Sequence, residues 1–443
     1  MPPWGADQHI VQQIIRPEPG SINSLSAITP SLTLTYGHQP LRGTSQLPAS
    51  KSESNRALIL QALAGGGTLT NLSDANDTQL MQRLLLDPAA SEFNAEDAGT
   101  VMRFLTGYLA ATGRHTQLTG TPRMLERPIG VLVDALRELG AAIDYTGREG
   151  YPPLRLNGWN PASATAAPDN DLPELSVRGD ISSQYISALL MVGPTLPHGL
   201  RLRLTGKVGS RPYIRMTLAL MQHFGADCRD LGTVVEARPG RYQPTDYTVE
   251  SDWSAASYWY AMVALAPAGS WLTLPGLRRY SWQGDQAIVG IMEKLGVATE
   301  YVQDGVRLTQ TGATTPFTQD FTDCPDLAQT VAVVAAALGV SVLMTGLESL
   351  RIKETDRIFA LQTELANFGA FLTEETEGYF RVSTGTFQVS GQTVATYHDH
   401  RMAMAFAPLA LLGPLVIEAP QVVRKSYPQF WQELEKAGFT VVA

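Results

Sequence analysis

The chain has 443 residues, 44% of them hydrophobic, with a formal net charge of −9. That is enough apolar mass for two or three domains, and the acidic balance excludes general nucleic-acid binding, which needs a dominant basic surface. Two cysteines, Cys228 and Cys324, are too few for a disulfide framework or a thiolate metal site and point to a reducing, cytoplasmic setting.

Residues 1–30, with Pro2, Pro3, Pro17 and Pro19, read as a loose leader without the basic-then-apolar pattern of a secretory signal. From there one phrase repeats: a polar cluster, an apolar run of helix length, a Gly or Pro turn and a strand-like run. It occurs at 55–65 with 68–72, 102–111 with 116–120, 184–192 with 200–206, 256–264 with 271–276, 329–338 with 340–346, and 402–412 with 414–419. The most apolar stretch, 331–343, is short and broken by Gly339, so no membrane span is expected. Interleaved amphipathic helices close on Gly140, Gly225, Gly296, Gly369 and Gly438, each followed by a strand. Alternating helices and strands predict an α/β architecture of about six similar units, three to a domain. The chain is expected to pass between domains near 46–50 and 245–248. That gives one discontinuous domain, 31–48 plus 249–443, and one continuous domain, 49–248, with a surface loop at 162–171.

Chemistry gathers where the apolar helices begin. Ser254 and Asp97 are explained as ordinary helix caps. The cations are not, because Lys51, Arg56 and Arg401 oppose the helix dipole unless they share an anion with the free N–H groups. Lysine is scarce, with Lys51, Lys207, Lys294, Lys353, Lys425 and Lys436 the complete set, so its positions carry weight. If residues 351–357 open a helix, Lys353 and Arg357, at i and i+4, share a face with Glu354 about 100° round from the lysine. Lys51, Arg56, Arg103, Arg123, Lys353, Arg357, Arg401 and Lys425 together would hold more than one anionic group. Other chemistries fit poorly. Gly65-Gly66-Gly67-Thr68 lacks the lysine of a phosphate-binding loop, and no Gly-x-Gly-x-x-Gly or Gly-x-Ser-x-Gly is present. His398-x-His400 has no third and fourth ligand at sensible spacing, so neither a metal nor another cofactor is expected.

Several segments closely resemble the 5-enolpyruvylshikimate-3-phosphate synthase family: residues 47–56 (LPASKSESNR), 97–103 (DAGTVMR), 119–124 (TGTPRM) and 353–357 (KETDR). So do Ser182-Ser183-Gln184, Ser210-Arg211-Pro212-Tyr213, Asp399-His400-Arg401 and Lys425-Ser426-Tyr427-Pro428, so that the match runs from about Leu41 to the C-terminus. The resemblance implies a two-domain inside-out α/β fold, each domain of three βαβαββ units, around a cleft for shikimate 3-phosphate and phosphoenolpyruvate. It implies a monomer that transfers an enolpyruvyl group on the route to chorismate and the aromatic amino acids. Lys51 would touch both ligands. Ser52, Arg56, Ser182, Ser183, Ser210, Tyr213, Ser349 and Lys353 would hold the phosphorylated shikimate, and Gly99, Thr100, Arg123, Gln184, Arg357, Arg401 and Lys425 the phosphoenolpyruvate. Asp326 would take the proton of the 5-hydroxyl and Glu354 would protonate C3, through a tetrahedral intermediate. Asp97, Ser349 and Arg211 stand where the family more often has Asn, Asn and Lys. Two alternatives are the related UDP-N-acetylglucosamine enolpyruvyl transferases, whose loop cysteine has no counterpart in Cys228 or Cys324, and a non-catalytic anion-binding protein.

Overall fold

The computed structural model describes residues 30–87, 90–160, 172–179 and 182–443. The expected leader up to residue 29, the expected loop at 162–171 and Asp180 lie outside the described residues. Each of the six repeated phrases folds as a helix followed by a strand. They are Lys51–Ala64 with Leu69–Thr70, Gly99–Ala111 with His115–Thr119, Ser183–Val192 with Leu200–Thr205, Trp253–Leu265 with Trp271–Pro275, Ala328–Leu338 with Val342–Thr345, and His400–Phe406 with Leu415–Glu418. Most of these helices are buried over most of their circumference. In Trp253–Leu265 every residue but Ser254 is buried, which is possible only if other elements cover the whole circumference. Trp253–Leu265, Ala328–Leu338 and His400–Phe406 accordingly pack on one another, as do Lys51–Ala64, Gly99–Ala111 and Ser183–Val192 in succession.

The strands form small sheets around these helices. Among the described residues, five sheets have four strands and one has two. The four-stranded sheets share one pairing rule, a parallel pair followed by two antiparallel neighbours. Glu92–Asn94, for example, pairs parallel with His115–Thr119, which pairs antiparallel with Leu154–Trp159, and that strand antiparallel with Ala141–Tyr145. A parallel pair needs a crossover connection, and the helix Gly99–Ala111 supplies it. Two sheets borrow a strand from the start of the chain. Ser31–Tyr36 lies between Leu415–Glu418 and Phe439–Val442, and Arg42–Thr44 runs parallel to Trp271–Pro275.

Two separate hydrophobic cores result. One takes Leu32, Leu34 and Leu41 together with apolar residues from Trp253 to Phe439, and the other takes residues from Ala49 to Val249. The chain passes between them twice, side by side. Ala49 bridges Ser251, Ser50 N donates to Glu250 O at 2.8 Å, and Asp252 N donates to Pro48 O at 2.9 Å.

The interleaved helices end as their glycines predict. Arg357–Ala366 closes through Gly369 at φ 79°, where a side chain would run into the carbonyl of Thr386, before the strand Ala370–Thr376 begins. Gly369→Ala is therefore expected to cost roughly 1–3 kcal/mol in urea unfolding. Glu53, buried at the double crossing, is pushed up to about 8 by burial and by the neighbouring Glu250. The native state thus keeps a proton that the unfolded chain releases near pH 4.5. Stability should fall as pH rises from about 4.5 to about 8, by an amount on the order of a few kcal/mol. Glu53→Gln should flatten that part of the urea-midpoint profile and leave the protein more stable than wild type at pH 8.

Candidate active site

The buried helices begin in polar sequence, and side chains at their N-termini reach one another. Arg357, the first residue of its helix, is the hub. Its side chain is 2% exposed, and its guanidinium donates to three carboxylates: Asp399 through Nε at 2.7 Å, Asp326 through Nη1 at 3.0 Å and Glu354 through Nη2 at 2.9 Å. Asp399 also caps the helix His400–Phe406 by accepting from Arg401 N at 2.8 Å. Arg401 turns back, with Nη2 2.9 Å from Asp326 Oδ2 and Nη1 donating to the Tyr258 hydroxyl at 3.3 Å. Lys425 Nζ lies 3.5 Å from Glu354 Oε1.

This crowd of charges decides the protonation states. Burial alone would push Asp326 up, but Arg401, Lys353 and Arg357 outweigh it and hold the carboxyl below its usual range. Glu354 is likewise raised by burial but held well below its usual value by Arg357, Lys425 and Lys51. His400 is driven down by burial, Lys51 and Arg401, so it stands neutral, with both ring nitrogens buried and free of hydrogen bonds. His398 is exposed, so the two histidines do not face a common point.

The second core contributes the facing side. Tyr213 donates its hydroxyl to Asp326 Oδ2 at 3.0 Å, Ser210 N donates to Thr322 O at 2.9 Å and Arg211 N to Asp323 Oδ1 at 3.1 Å. Lys51 Nζ is 3.4 Å from Asp77. Gln184 accepts from Arg103 at 3.1 Å and donates to Thr100 at 3.0 Å, locking the starts of two helices together. Arg103 and Arg127 press against the backbone of Gly99, where any side chain would collide with both guanidinium groups. Arg56 is buried among neutral partners, the Thr217 and Ser187 hydroxyls and the Ser52 carbonyl, and burial lowers it to about 10. A hollow of about 600 Å³ beside the chain crossing, lined by Asn71, Val249, Arg278, Tyr301 and Asp304 among others, receives none of these cations or carboxylates.

A cluster of basic side chains around two poised carboxylates, set between two cores of helix-and-small-sheet units, can be compared with known proteins. The pattern of one family, EPSP synthase (3-phosphoshikimate 1-carboxyvinyltransferase), matches residues 85–434. The chain belongs to the EPSP synthase family. It is 49% identical over 411 residues to the 3-phosphoshikimate 1-carboxyvinyltransferase of Bacteroides fragilis strain YCH46, covering 90% of this chain and 96% of that protein. It is 38% identical over 423 residues to the enzyme of the same name from Sodalis glossinidius, covering 88% and 94%. An EPSP synthase structure from Acinetobacter baumannii shares the fold at a TM-score of 0.76, with 22% identity, covering 93% of this chain and all of that one.

Of the positions expected from family likeness, Tyr213, Asp326, Lys353, Glu354, Arg357, Arg401 and Lys425 gather in this cluster, Lys51 pairs with Asp77, and Gly99, Thr100 and Gln184 form a separate group with Arg103 and Arg127. Ser182 caps Ser183–Val192 by accepting from Gln184 N, Ser183 is buried behind it, and Ser52 lies over Arg56. Ser349 sits in the half-buried 3-10 turn Glu348–Ile352. Arg123 does not join. Its side chain is 64% exposed and pairs with Glu126 at 2.8 Å, whereas Arg127, one helical turn further along, faces Gly99. A second arginine at i+4 in that motif was the available signal.

Three local expectations need correction. Lys353 and Arg357 do not share a helix face, because Asp356 caps the helix by accepting from Ile358 N and Phe359 N and the helix starts only at Arg357. Glu354 reaches Arg357 through the preceding turn instead. Ser254 is not a cap, since Asp252 takes that role and Ser254 donates to Asp285. Nor is Asp97, which is exposed and accepts from the Thr121 hydroxyl.

Asp399→Ala would strand the buried Arg357 beside fewer counter-charges and is expected to cost about 3–5 kcal/mol in urea unfolding, whereas Arg123→Ala at its exposed pair should stay within about 0.5 kcal/mol.

Proposed function

We propose that this chain transfers the enolpyruvyl group of phosphoenolpyruvate to the 5-hydroxyl of shikimate 3-phosphate, releasing phosphate, in aromatic amino acid biosynthesis. The observation that carries the roles is that Asp326 and Glu354 accept from the two terminal nitrogens of one buried guanidinium, among Arg401, Lys353 and Lys425. Asp326 takes the hydroxyl proton as the oxygen bonds to C2 of phosphoenolpyruvate. Glu354, entering protonated, gives its proton to C3, which yields the tetrahedral adduct. Glu354 then takes back a C3 proton, the C2–O bond to phosphate breaks as the leaving phosphate takes the proton held by Asp326, and the double bond returns.

Glu354 is held ionised by Arg357 and Lys425, yet the first step needs it as an acid. Anions on those two cations would offset their charge and raise Glu354, so binding of phosphoenolpyruvate itself supplies the change. Arg401, Lys425 and Arg127 are suited to its carboxylate and phosphate. Ser52, Ser182, Ser183, Ser210, Tyr213 and Lys353 are suited to shikimate 3-phosphate. In this reading the two cores are two domains, 31–48 with 249–443 and 49–248, which meet over the substrates and shut out water. The protein works as a cytoplasmic monomer on free small molecules.

The test is phosphate release from phosphoenolpyruvate with shikimate 3-phosphate or UDP-N-acetylglucosamine as acceptor. Release with the shikimate acceptor alone, reduced about 10²–10⁴-fold in Glu354→Gln, is the expected outcome. Release with the nucleotide sugar, or with neither acceptor, refutes the assignment.

A further inference from the structure

Asp326 is an awkward base. Both of its oxygens are engaged, Oδ1 by Arg357 and Oδ2 by Arg401 and Tyr213, and three cations hold its charge in place. A carboxylate so well satisfied has little tendency to take a proton from a hydroxyl. A second buried carboxylate opposes those cations. Asp285, in the 3-10 turn Gly284–Ala287, is 4% exposed and lines a narrow cleft of only about 10 Å³ with Ser50, Ser52, Tyr213, Asp252 and Ser254. Its Oδ2 accepts from the Ser254 hydroxyl, whereas Oδ1 is buried without a hydrogen-bond partner.

The turn carrying Asp285 and the turn Pro325–Leu327 carrying Asp326 both pack on the helix Trp253–Leu265. The same turn also presses on the second core, because Gly284 leaves no room for a side chain beside Pro212 and the Asp323 carbonyl. Pro212 precedes Tyr213, so Asp285, Tyr213 and Asp326 are held as one unit by both halves of the molecule.

We propose that Asp285 is a positioning residue for Asp326: its buried carboxylate, in one cleft with the Tyr213 that donates to Asp326, opposes the cations that grip Asp326 and keeps it able to accept the acceptor's proton. The inference rests on the enolpyruvyl-transfer reading. No bond to substrate is required of Asp285, which acts only through its charge.

The groups that face it set when that charge is present. Burial raises the Asp285 carboxyl first and the negative Asp326 second, Arg401 and the Ser254 hydroxyl lower it, and Asp252 raises it, with a result of about 7. Tyr213 and Cys324 also face it, and their own protons are held more tightly because of it. Below about pH 7 Asp285 is neutral and Asp326 is left to its cations. Above it the second negative charge makes Asp326 more basic. The sign is therefore a turnover number that rises with pH through the ionisation of Asp285.

The experiment is the pH dependence of kcat and KM for phosphate release in wild type, Asp285→Asn and Asp285→Glu. Asparagine keeps a side-chain oxygen for Ser254 but cannot ionise. Its expected profile lacks the rise near neutrality, with kcat at pH 8 lower by roughly tenfold or more, KM for both substrates within about twofold of wild type, and partial recovery in the glutamate variant. A variant that keeps the wild-type rise, or that loses KM rather than kcat, overturns the proposal. Should Asp285→Asn fail to fold, Ser254→Ala removes a hydrogen bond to the charged form and must move the rise to higher pH, and an unmoved profile overturns the proposal equally. Absence of phosphate release in the wild type is a failure of the enolpyruvyl-transfer reading instead. Infrared titration in a Glu53→Gln background, which removes the other carboxyl pushed up to about 8, then still decides on Asp285: a carboxylic-acid carbonyl band that disappears through neutrality must be missing once Asp285→Asn is added, and an unchanged band overturns the assignment.

Discussion

The arrangement of charge around Arg357 is the constraint on which the rest depends. A guanidinium buried to 2% exposure is stable only when its donors are met, and it meets carboxylates from three separate segments: the turn before one core helix, the loop before its own helix and the cap of a third. Removing water from these groups is costly, and their mutual attraction offsets that cost only while the set stays complete. Arg357, Arg401, Lys353 and Lys425 carry one more positive charge than Asp326, Glu354 and Asp399 neutralise, and burial with the nearby cations keeps His400 uncharged. The cluster is built short of negative charge, and small anions are what it is shaped to receive.

That cluster is affordable because the helices beneath it are apolar. Trp253–Leu265 and Ala328–Leu338 bury almost every side chain, so only their ends can present polar groups, and the ends point backbone N–H groups where the cations stand. Small sheets on the outside give each helix a covering surface and return the chain to start the next one. Core and site are in this sense one construction: apolar helix bodies packed together oblige their polar starts to gather.

Neither half is sufficient by itself. Tyr213, Ser210 and Arg211 from one core contact Asp326, Thr322 and Asp323 from the other. The two halves are joined by a pair of adjacent crossings, tied by Ala49 with Ser251 and Ser50 with Glu250, which leaves the rest of the interface to be made through side chains. Asp326 and Glu354 are thus assembled on elements of the first core, and Asp326 is gripped by Tyr213 of the second.

The sequence by itself determined the units. A buried helix followed by a strand repeats six times, and each repeat is legible because apolar periodicity and the glycine turn are local properties of the chain. It also determined the types of residue at the helix starts, and the motifs around Lys51, Asp97, Lys353 and Arg401 identified the family before any contact was known. Only the tertiary structure decided which of those residues meet. The capping carboxylate of Asp356 moved the helix start to Arg357, so Glu354 reaches its partner through a turn that a helical-wheel reading could not foresee. Arg127 rather than Arg123 came to face Gly99, and Asp285, in a stretch with no recognisable motif, came to share a cleft with Tyr213. Capping, periodicity and charge type act over a few residues, whereas desolvation and countercharge depend on groups tens to hundreds of positions apart, which only the packed chain brings together.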